Sequence, residues 1–337
     1  MLGNAMSSGR VRTRRATLGL ALTVAAATAL TGCSALDSNA SASGGSLEKT
    51  KIKVAILPTV DTAPLWLAQD AGYFKAEGLE VEAVMAASGQ AALTKAISGE
   101  TDISISSYMP FFVAKSTGTA DFQLVADATS VSPKSVAIVT APNSPVKTVN
   151  DLGGKRIAMT AKNTASDLLA KSLMKDHGVP IDKVIWVPSP FPNTAAALAQ
   201  GQVDAALLPE PFLTQAAKTA GAIPVIDVNS GATQDFPLSG YGAISKWVKE
   251  NPKTLAAFQR ALQRATSETN KDRSKIEPLL VKYAKIDEDS SKLLGLPSFS
   301  AKLDARRLQR VPDLMLQMGA INTKVDAAAM IAPQATG

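Results

Sequence analysis

Small hydroxyl-bearing and polar residues stand where apolar runs give way to helical spacing: Val60-Asp61-Thr62, Ser88-Gly89-Gln90, Ser106-Ser107-Tyr108, and Thr160 with Asn163 and Thr164. A helix start presents unpaired N–H groups and about half a positive charge, so such positions hold an oxyanion without arginine. The hydroxyls of Ser88, Ser106, Ser107, Thr160, Thr164 and Ser166 would add hydrogen bonds to its oxygens. Taken singly, each also serves as an ordinary cap or turn residue; their common place at strand ends is what points to a ligand. Glu210, between Pro209 and Pro211, either faces the opposite half of the molecule or takes a cation or N–H donor. A free anion beside it would be repelled, so the expected anionic solute also carries an amino or ring N–H group. Tyr241, with Trp66, Tyr108, Phe191 and Phe212, could wall the pocket, although Trp66 on a helix face also reads as core.

The residue types point to capture rather than turnover. The single histidine, His177, closes a helix in Lys175-Asp176-His177-Gly178 and reads as a partner of the helix dipole. With one histidine and one cysteine, neither a His/Cys zinc site nor a Ser-His-Asp triad is expected. Gly153-Gly154-Lys155 lacks the earlier glycine and the following Ser/Thr of a phosphate loop, and no G-x-G-x-x-G opens a helix. No catalytic residue, metal or cofactor is therefore expected.

The elements that must position these residues alternate. Lys53–Leu57 is an apolar run of strand length, Pro58–Thr62 breaks it, and Pro64 suits a first helical turn. Gly78 stops that helix before a second strand at Leu79–Val84, a strand–loop–helix–strand unit that predicts α/β architecture with a partly parallel sheet. Further strands are expected at Asp102–Ser106, Phe122–Asp127, Ser135–Thr140, Arg156–Thr160, Val184–Val187 and Asp204–Leu208. Thr164 and Asp167 have the spacing of a capping box. Ala96–Ile103 and Leu198–Ala205 echo each other, each a helix stopped by glycine and followed by an aspartate that opens a strand. Two such copies suggest two similar lobes facing one cleft. From Trp247 onward the pattern is helical, at Pro252–Glu268, Ile276–Lys285, Ser290–Leu294, Asp304–Met318 and Val325–Met330, and must pack its apolar stripes on a lobe.

The 337 residues carry 35 Lys+Arg against 29 Asp+Glu. Arg10, Arg12, Arg14 and Arg15 precede residue 33 and no acidic residue does, so the remainder holds 31 basic and 29 acidic side chains. The basicity belongs to a targeting segment, and nucleic acid is not an expected partner. Ala16–Leu30 is a short apolar stretch ending in Leu30-Thr31-Gly32-Cys33, which resembles a lipobox with Cys33 as the lipidated first mature residue. Thr13–Leu18 also resembles a twin-arginine signal. Ser34–Ser46 reads as a flexible tether.

Ala63-Pro64, Ala71-Gly72-Tyr73-Phe74, Gly78–Glu82, Ala96–Gly99 with Asp102, Val149–Ala158 and Ala197–Ala205 to Glu210-Pro211 together resemble the solute receptors of ABC importers in the nitrate/sulfonate/taurine and thiamine-pyrimidine-precursor group. The resemblance implies a two-lobe periplasmic-binding-protein-like (type II) fold with a hinge and ligand cleft, the helical C-terminal section packed on lobe one. Its expected divisions are 1–32 signal peptide, 33–46 tether, 47–137 with 243–337 lobe one, and 138–242 lobe two. The crossings between lobes are expected near Val136–Thr140 and Tyr241–Ile244. It further implies a monomer on the outer face of the cytoplasmic membrane, serving a permease and its ATPase, with a small sulfonate-like anion as the favoured solute. A thiamine-pyrimidine precursor, or an enzyme on the same scaffold, are the rival readings; the lipobox and the missing acid–base histidine argue against the enzyme.

Overall fold

The computed structural model describes residues 46–335. The expected signal segment, Cys33 and the tether up to residue 45 lie outside the described residues, as do residues 336 and 337. Among the described residues eleven strands form two mixed sheets: β1 Lys51–Ile56, β2 Glu80–Met85, β3 Ile103–Ser107, β4 Phe122–Ser130, β5 Val136–Thr140, β6 Arg156–Met159, β7 Ile185–Pro188, β8 Ala205–Pro209, β9 Ile223–Asp227, β10 Pro237–Ile244 and β11 Ser298–Phe299. The first sheet runs β11-β4-β10-β3-β1-β2 and the second β7-β6-β8-β5-β9. In the first, β1 is parallel to β2 and β3 while β10 is antiparallel to β3. In the second, β6 is parallel to β7 and β8 while β5 is antiparallel to β8. Each sheet thus sends parallel strand ends and an antiparallel strand start to one edge.

The central strands of the second sheet, β5, β6 and β8, are apolar on both faces because helices cover both. Ile138, Ile157 and Leu207 pack with Leu168, Leu169 and Leu173 of the helix Ala165–Asp176. The alternate residues Ala137, Val139, Ala158, Ala206 and Leu208 pack with Leu198, Phe212 and Ala216 of the helices Phe191–Ala199 and Phe212–Ala220. That is the period of two expected of a doubly covered sheet.

The sequence echo has a physical basis. Asp102 donates its N–H to Lys53 O and accepts Lys53 N–H on its carboxylate, both at 2.8 Å. Asp204 makes the same pair with Arg156, again both at 2.8 Å. In each sheet an aspartate after a glycine-stopped helix therefore fixes the register of one parallel strand against its neighbour.

The chain leaves the first sheet after Ser130, enters the second at Val136, leaves it after Asp227 and returns at Pro237. Both crossings fall earlier than the sequence suggests, since Val136–Thr140 and Tyr241–Ile244 are paired within sheets. Gly240 and Gly242 make β10 look broken, but they admit aromatic rings: a Cβ on Gly240 would collide with Tyr108, and one on Gly242 with Phe111. The C-terminal helices lie on the first sheet, where Leu255, Phe258 and Leu262 join Ile52, Val54, Ile103 and Tyr241 in one core. Of the expected helix Val325–Met330 only a single 3-10 turn, Ala328–Met330, forms. The helix Ala305–Gln317 reaches both crossings. Arg310 donates to the carbonyls of Ala232 (3.2 Å), Gln234 (2.8 Å) and Asp235 (3.1 Å), and Arg307 donates to Ser130 Oγ.

Beneath Ser130, Asp127 is buried and accepts the Tyr108 hydroxyl at 2.5 Å, with Arg307 3.7 Å away. Burial pushes the Asp127 carboxyl up to about 6, against the pull of Tyr108 and Arg307. The folded chain then holds a proton that the unfolded chain releases near pH 4. This contribution to stability is full below about pH 4 and is lost as pH rises through about 6, roughly 3 kcal/mol by neutral pH. Denaturant melts from pH 4 to 7 should show wild type losing that amount relative to Asp127→Asn; parallel curves would refute it.

Candidate functional site

A cavity of about 60 Å³, measured as space open to the centre of a water molecule, lies between the two sheets. That holds about four to six waters, or one small solute. Its wall is built from the carboxyl ends of the parallel strands: Leu57, Thr59 and Asp61 follow β1, Gly89 follows β2, and Ile105–Ser107 end β3. From the second sheet come Thr160 after β6, Phe191 after β7, and Leu207 and Pro209 at the end of β8. The antiparallel strands contribute their starts, Val136 of β5 and Leu238 and Ser239 of β10. Ligands of open α/β sheets bind at this edge.

Four helices begin at the wall: Gly89–Ile97, Tyr108–Thr117, Ala165–Asp176 and Phe191–Ala199. Each has its first residue or its N-cap among the lining residues, namely Gly89, Ser107, Thr164 with Ala165, and Phe191. Their partial positive charges converge on one small volume. Ser106 is 2% exposed, and among the described residues its Oγ has no hydrogen-bond partner. Gly89 makes room for it: a Cβ there would sit 3.2 Å from Ser106 Cβ and collide with Oγ. The Ser107 hydroxyl accepts the Ala165 N–H at 3.3 Å, joining the first sheet to the second across the cavity. Thr160, Thr164 and Ser166 form a hydroxyl cluster in which Thr164 and Ser166 lie 2.8 Å apart. The expected capping box holds that loop, with Asp167 accepting Thr164 N–H at 2.8 Å.

Among the described residues Asp61 is the one ionisable side chain on the wall. Its Oδ2 accepts from Ser239 (2.5 Å) and Thr129 (3.3 Å), and burial pushes its carboxyl above the ordinary range. Among the described residues no cluster of His, Cys, Asp and Glu could hold a metal ion, and no helix is long and apolar enough to cross a membrane.

Of the residues singled out in the sequence, Asp61, Gly89, Ser106, Ser107, Thr160 and Thr164 line the cavity, as do Ser166 and Phe191. The others are placed elsewhere, each for a local reason. Glu210 is buried and accepts Thr214 N–H (3.0 Å), Thr214 Oγ1–H (2.8 Å) and Gly295 N–H (3.3 Å), so its carboxylate holds a helix start and touches the C-terminal section, as the reading that faces it to the opposite half of the molecule expects. Tyr108 lies under β10 on Asp127, and Tyr241 packs edge-on against Phe258 in the core. Val60 packs with Ile276 and Leu280, and its N–H donates to Glu210 O at 3.3 Å. Thr62 accepts the Trp66 indole at 3.1 Å, and Trp66 stacks on Tyr283. Ser88 caps its helix through Ala91 N–H at 3.1 Å, Gln90 is exposed, and Asn163 turns the loop at φ 60°. Phe212 stacks on Phe191 from behind. His177 Nδ1 lies 2.8 Å from Leu173 O at its helix end. The sequence reading misses Leu238 and Ser239, just ahead of residues it gives to a crossing, Val136, which it gives to the other crossing, and Leu207, which it places in a strand without a role.

The family model described as NMT1/THI5 like matches residues 59–275. The chain spans 65% and 46% of the length of two curated relatives, which it matches at 23% and 27% identity. Among solved structures it resembles the alkanesulfonate-binding protein SsuA from Xanthomonas axonopodis pv. citri bound to MOPS, with TM-score 0.74, 18% identity and coverage of 85% of this chain and 99% of that one. It also resembles the periplasmic nitrate-binding protein NrtA from Synechocystis PCC 6803, with TM-score 0.73, 16% identity and coverage of 84% and 85%. A desulfurization enzyme, DSZB, shares the architecture at TM-score 0.62 and 17% identity, covering 85% of this chain and 97% of that one. The fold is the α/β architecture of the periplasmic binding proteins.

Proposed function

The chain belongs to the NMT1/THI5-like family, and from that premise and the cavity we propose that it is a solute receptor that captures a small oxyanion and delivers it to an ABC importer. The observation that carries this reading is the partnerless Ser106 hydroxyl set among four helix starts. Such a wall satisfies oxyanion oxygens with N–H and O–H donors. The alkanesulfonate- and nitrate-binding proteins of the same fold are named for anions of this class.

Closure of the two sheets about the crossings 131–135 and 228–236 would bring both walls onto the solute. The closed population then rises by the differential affinity and is what docks on the permease, whose ATPase drives import. Cys33, acylated at the lipobox, would hold the monomeric receptor on the outer face of the cytoplasmic membrane. An enzyme is the less supported reading. Among the described residues Asp61 is the single ionisable side chain on the wall, so a general acid–base pair finds no second ionisable member there.

A thermal-shift screen tests this after unfolding and refolding strip any carried solute. The probes are nitrate, bicarbonate, alkanesulfonates, 2-aminoethanesulfonate and an aminopyrimidine. Solute at 100 times its Kd should add about 2.7 kcal/mol, several degrees in Tm. A shift with the aminopyrimidine alone would move the solute to a thiamine precursor and keep the receptor. No shift with any probe would refute the reading.

A further inference from the structure

The two crossings leave the first sheet at one place. Ser130, the last residue of β4, is paired with Pro237, the first of β10, and the Val131 N–H donates to Phe236 O at 2.9 Å. The helix Ala305–Gln317, packed on β10 and on the helix Tyr108–Thr117, brings two guanidinium groups to that place. Arg310 takes carbonyls of the second crossing, and Arg307 takes Ser130 Oγ at the root of the first. Behind Arg307 lies the buried carboxyl of Asp127, 3.7 Å from Nη1.

The surroundings of that carboxyl single out Arg307. Tyr108 donates to Oδ1 at 2.5 Å and Ala128 N–H to the same oxygen at 3.0 Å, with the Ser300 hydroxyl as a further partner. Burial and Asp127 push the Tyr108 phenol well above its ordinary range, so it stays a donor. Strand β11 carries no ionisable side chain, and Tyr241 of β10 packs on Phe258. The helix Pro252–Lys271 meets β4 through Gln259, which donates to Val125 O at 2.7 Å. Asp61, from the turn Val60–Thr62, reaches Thr129, two residues along β4. Asp304 accepts the Arg307 backbone N–H at 2.9 Å, and Asp235 acts on Arg310. Among the described residues Arg307 is therefore the cation that faces Asp127.

We propose that Asp127 and Arg307 make the junction of the two crossings proton-sensitive: ionised Asp127 seats Arg307 on Ser130 and holds the crossings, and protonated Asp127 releases them. Burial pushes the carboxyl up while Tyr108 and Arg307 draw it down, and that coupling is reciprocal. A proton on Asp127 thus weakens the seat of Arg307 by the factor by which Arg307 opposes the proton. The Arg307 side chain is 41% exposed, so water screens the pair and receives the freed guanidinium. The factor is accordingly modest, roughly two- to fivefold. Its direction opposes the effect on folding: acid favours the folded chain through Asp127 and loosens the crossings. In a receptor that closes on its solute, the same proton would lower affinity by that factor.

Hydrogen exchange of the full chain between about pH 5 and 7.5, corrected for intrinsic amide rates, tests this. It needs no solute, so a thermal-shift screen that fails leaves the proposal standing. Protection of 131–135 and 228–236 should fall roughly two- to fivefold in acid, with a midpoint of about 6, while β1 and β3 lose none. Asp127→Asn should exchange at the fast, acid level at every pH. Arg307→Gln should do the same, and it serves if Asp127→Asn fails to fold. It should also raise the pH at which the protonated Asp127 carboxyl band appears in the infrared, a shift that a merely structural contact would not produce. Arg307→Lys, which keeps the charge, should restore part of the pH response. Protection that is independent of pH in wild type, or a wild-type response retained in either neutral variant, overturns the proposal. So does protection of the crossings that rises in acid, because they would then follow global stability instead of Asp127.

Discussion

Gly89→Val should weaken solute binding more than a hundredfold, about 2.8 kcal/mol, while the chain still folds. Gly89 is the first residue of the helix Gly89–Ile97, and any Cβ there meets the Ser106 side chain. A valine must push Ser106 Oγ off its position or drive the helix start away from β3. Either movement removes one hydroxyl and one set of backbone N–H groups from the cavity. The steric cost to folding is about 1–3 kcal/mol, as for other overpacked sites. Combining Gly89→Ala with Ser106→Gly separates the two effects: the clash is relieved and Tm recovers, but binding does not, because the hydroxyl is gone. Wild-type affinity in Gly89→Val would remove this helix start from the site.

Glu210→Ala should cost about 3–5 kcal/mol of stability, the largest loss expected from a single change outside the apolar core. The side chain is 4% exposed and accepts three donors. Two belong to Thr214 on the second-sheet side, and the third is the N–H of Gly295 in the C-terminal section, so one carboxylate fastens segments that no sheet joins. Truncation leaves these donors unpaired in a dry place. Glu210→Gln keeps an acceptor and should lose roughly half as much. Urea melts measure both, and a loss below about 1 kcal/mol for the alanine variant would show that water replaces the carboxylate.

Most of the fold was legible because it rests on local patterns. The apolar runs of β1 to β8 lie within a residue or two of where their spacing puts them, apart from the longer end of β4, and the glycine–aspartate echo marks a real register device. The cavity was half legible. Helix-start logic finds Gly89, Ser106, Ser107 and Thr164, since a cap is a local feature. It cannot separate a wall residue such as Val136 or Leu207 from a core residue, because both are apolar positions on strands. Ser239 was hidden by Gly240 and Gly242, whose purpose is to admit two aromatic rings brought from elsewhere in the chain. Glu210 was legible only as an alternative between an opposite-half contact and a ligand group, because the donors that surround it come from Thr214 and, far along the chain, Gly295.

The grip of the helix Ala305–Gln317 on both crossings has a consequence for how affinity can change. Arg310 holds carbonyl groups, which every residue possesses, so the hold tolerates substitution in residues 232–235 while depending on one guanidinium. In a receptor that binds by closure, measured affinity is the intrinsic affinity scaled by the fraction already competent. A change of about 1.4 kcal/mol in that grip would alter measured affinity up to tenfold with the cavity wall untouched. In such a receptor affinity and selectivity would be carried by different parts of the chain and could drift independently.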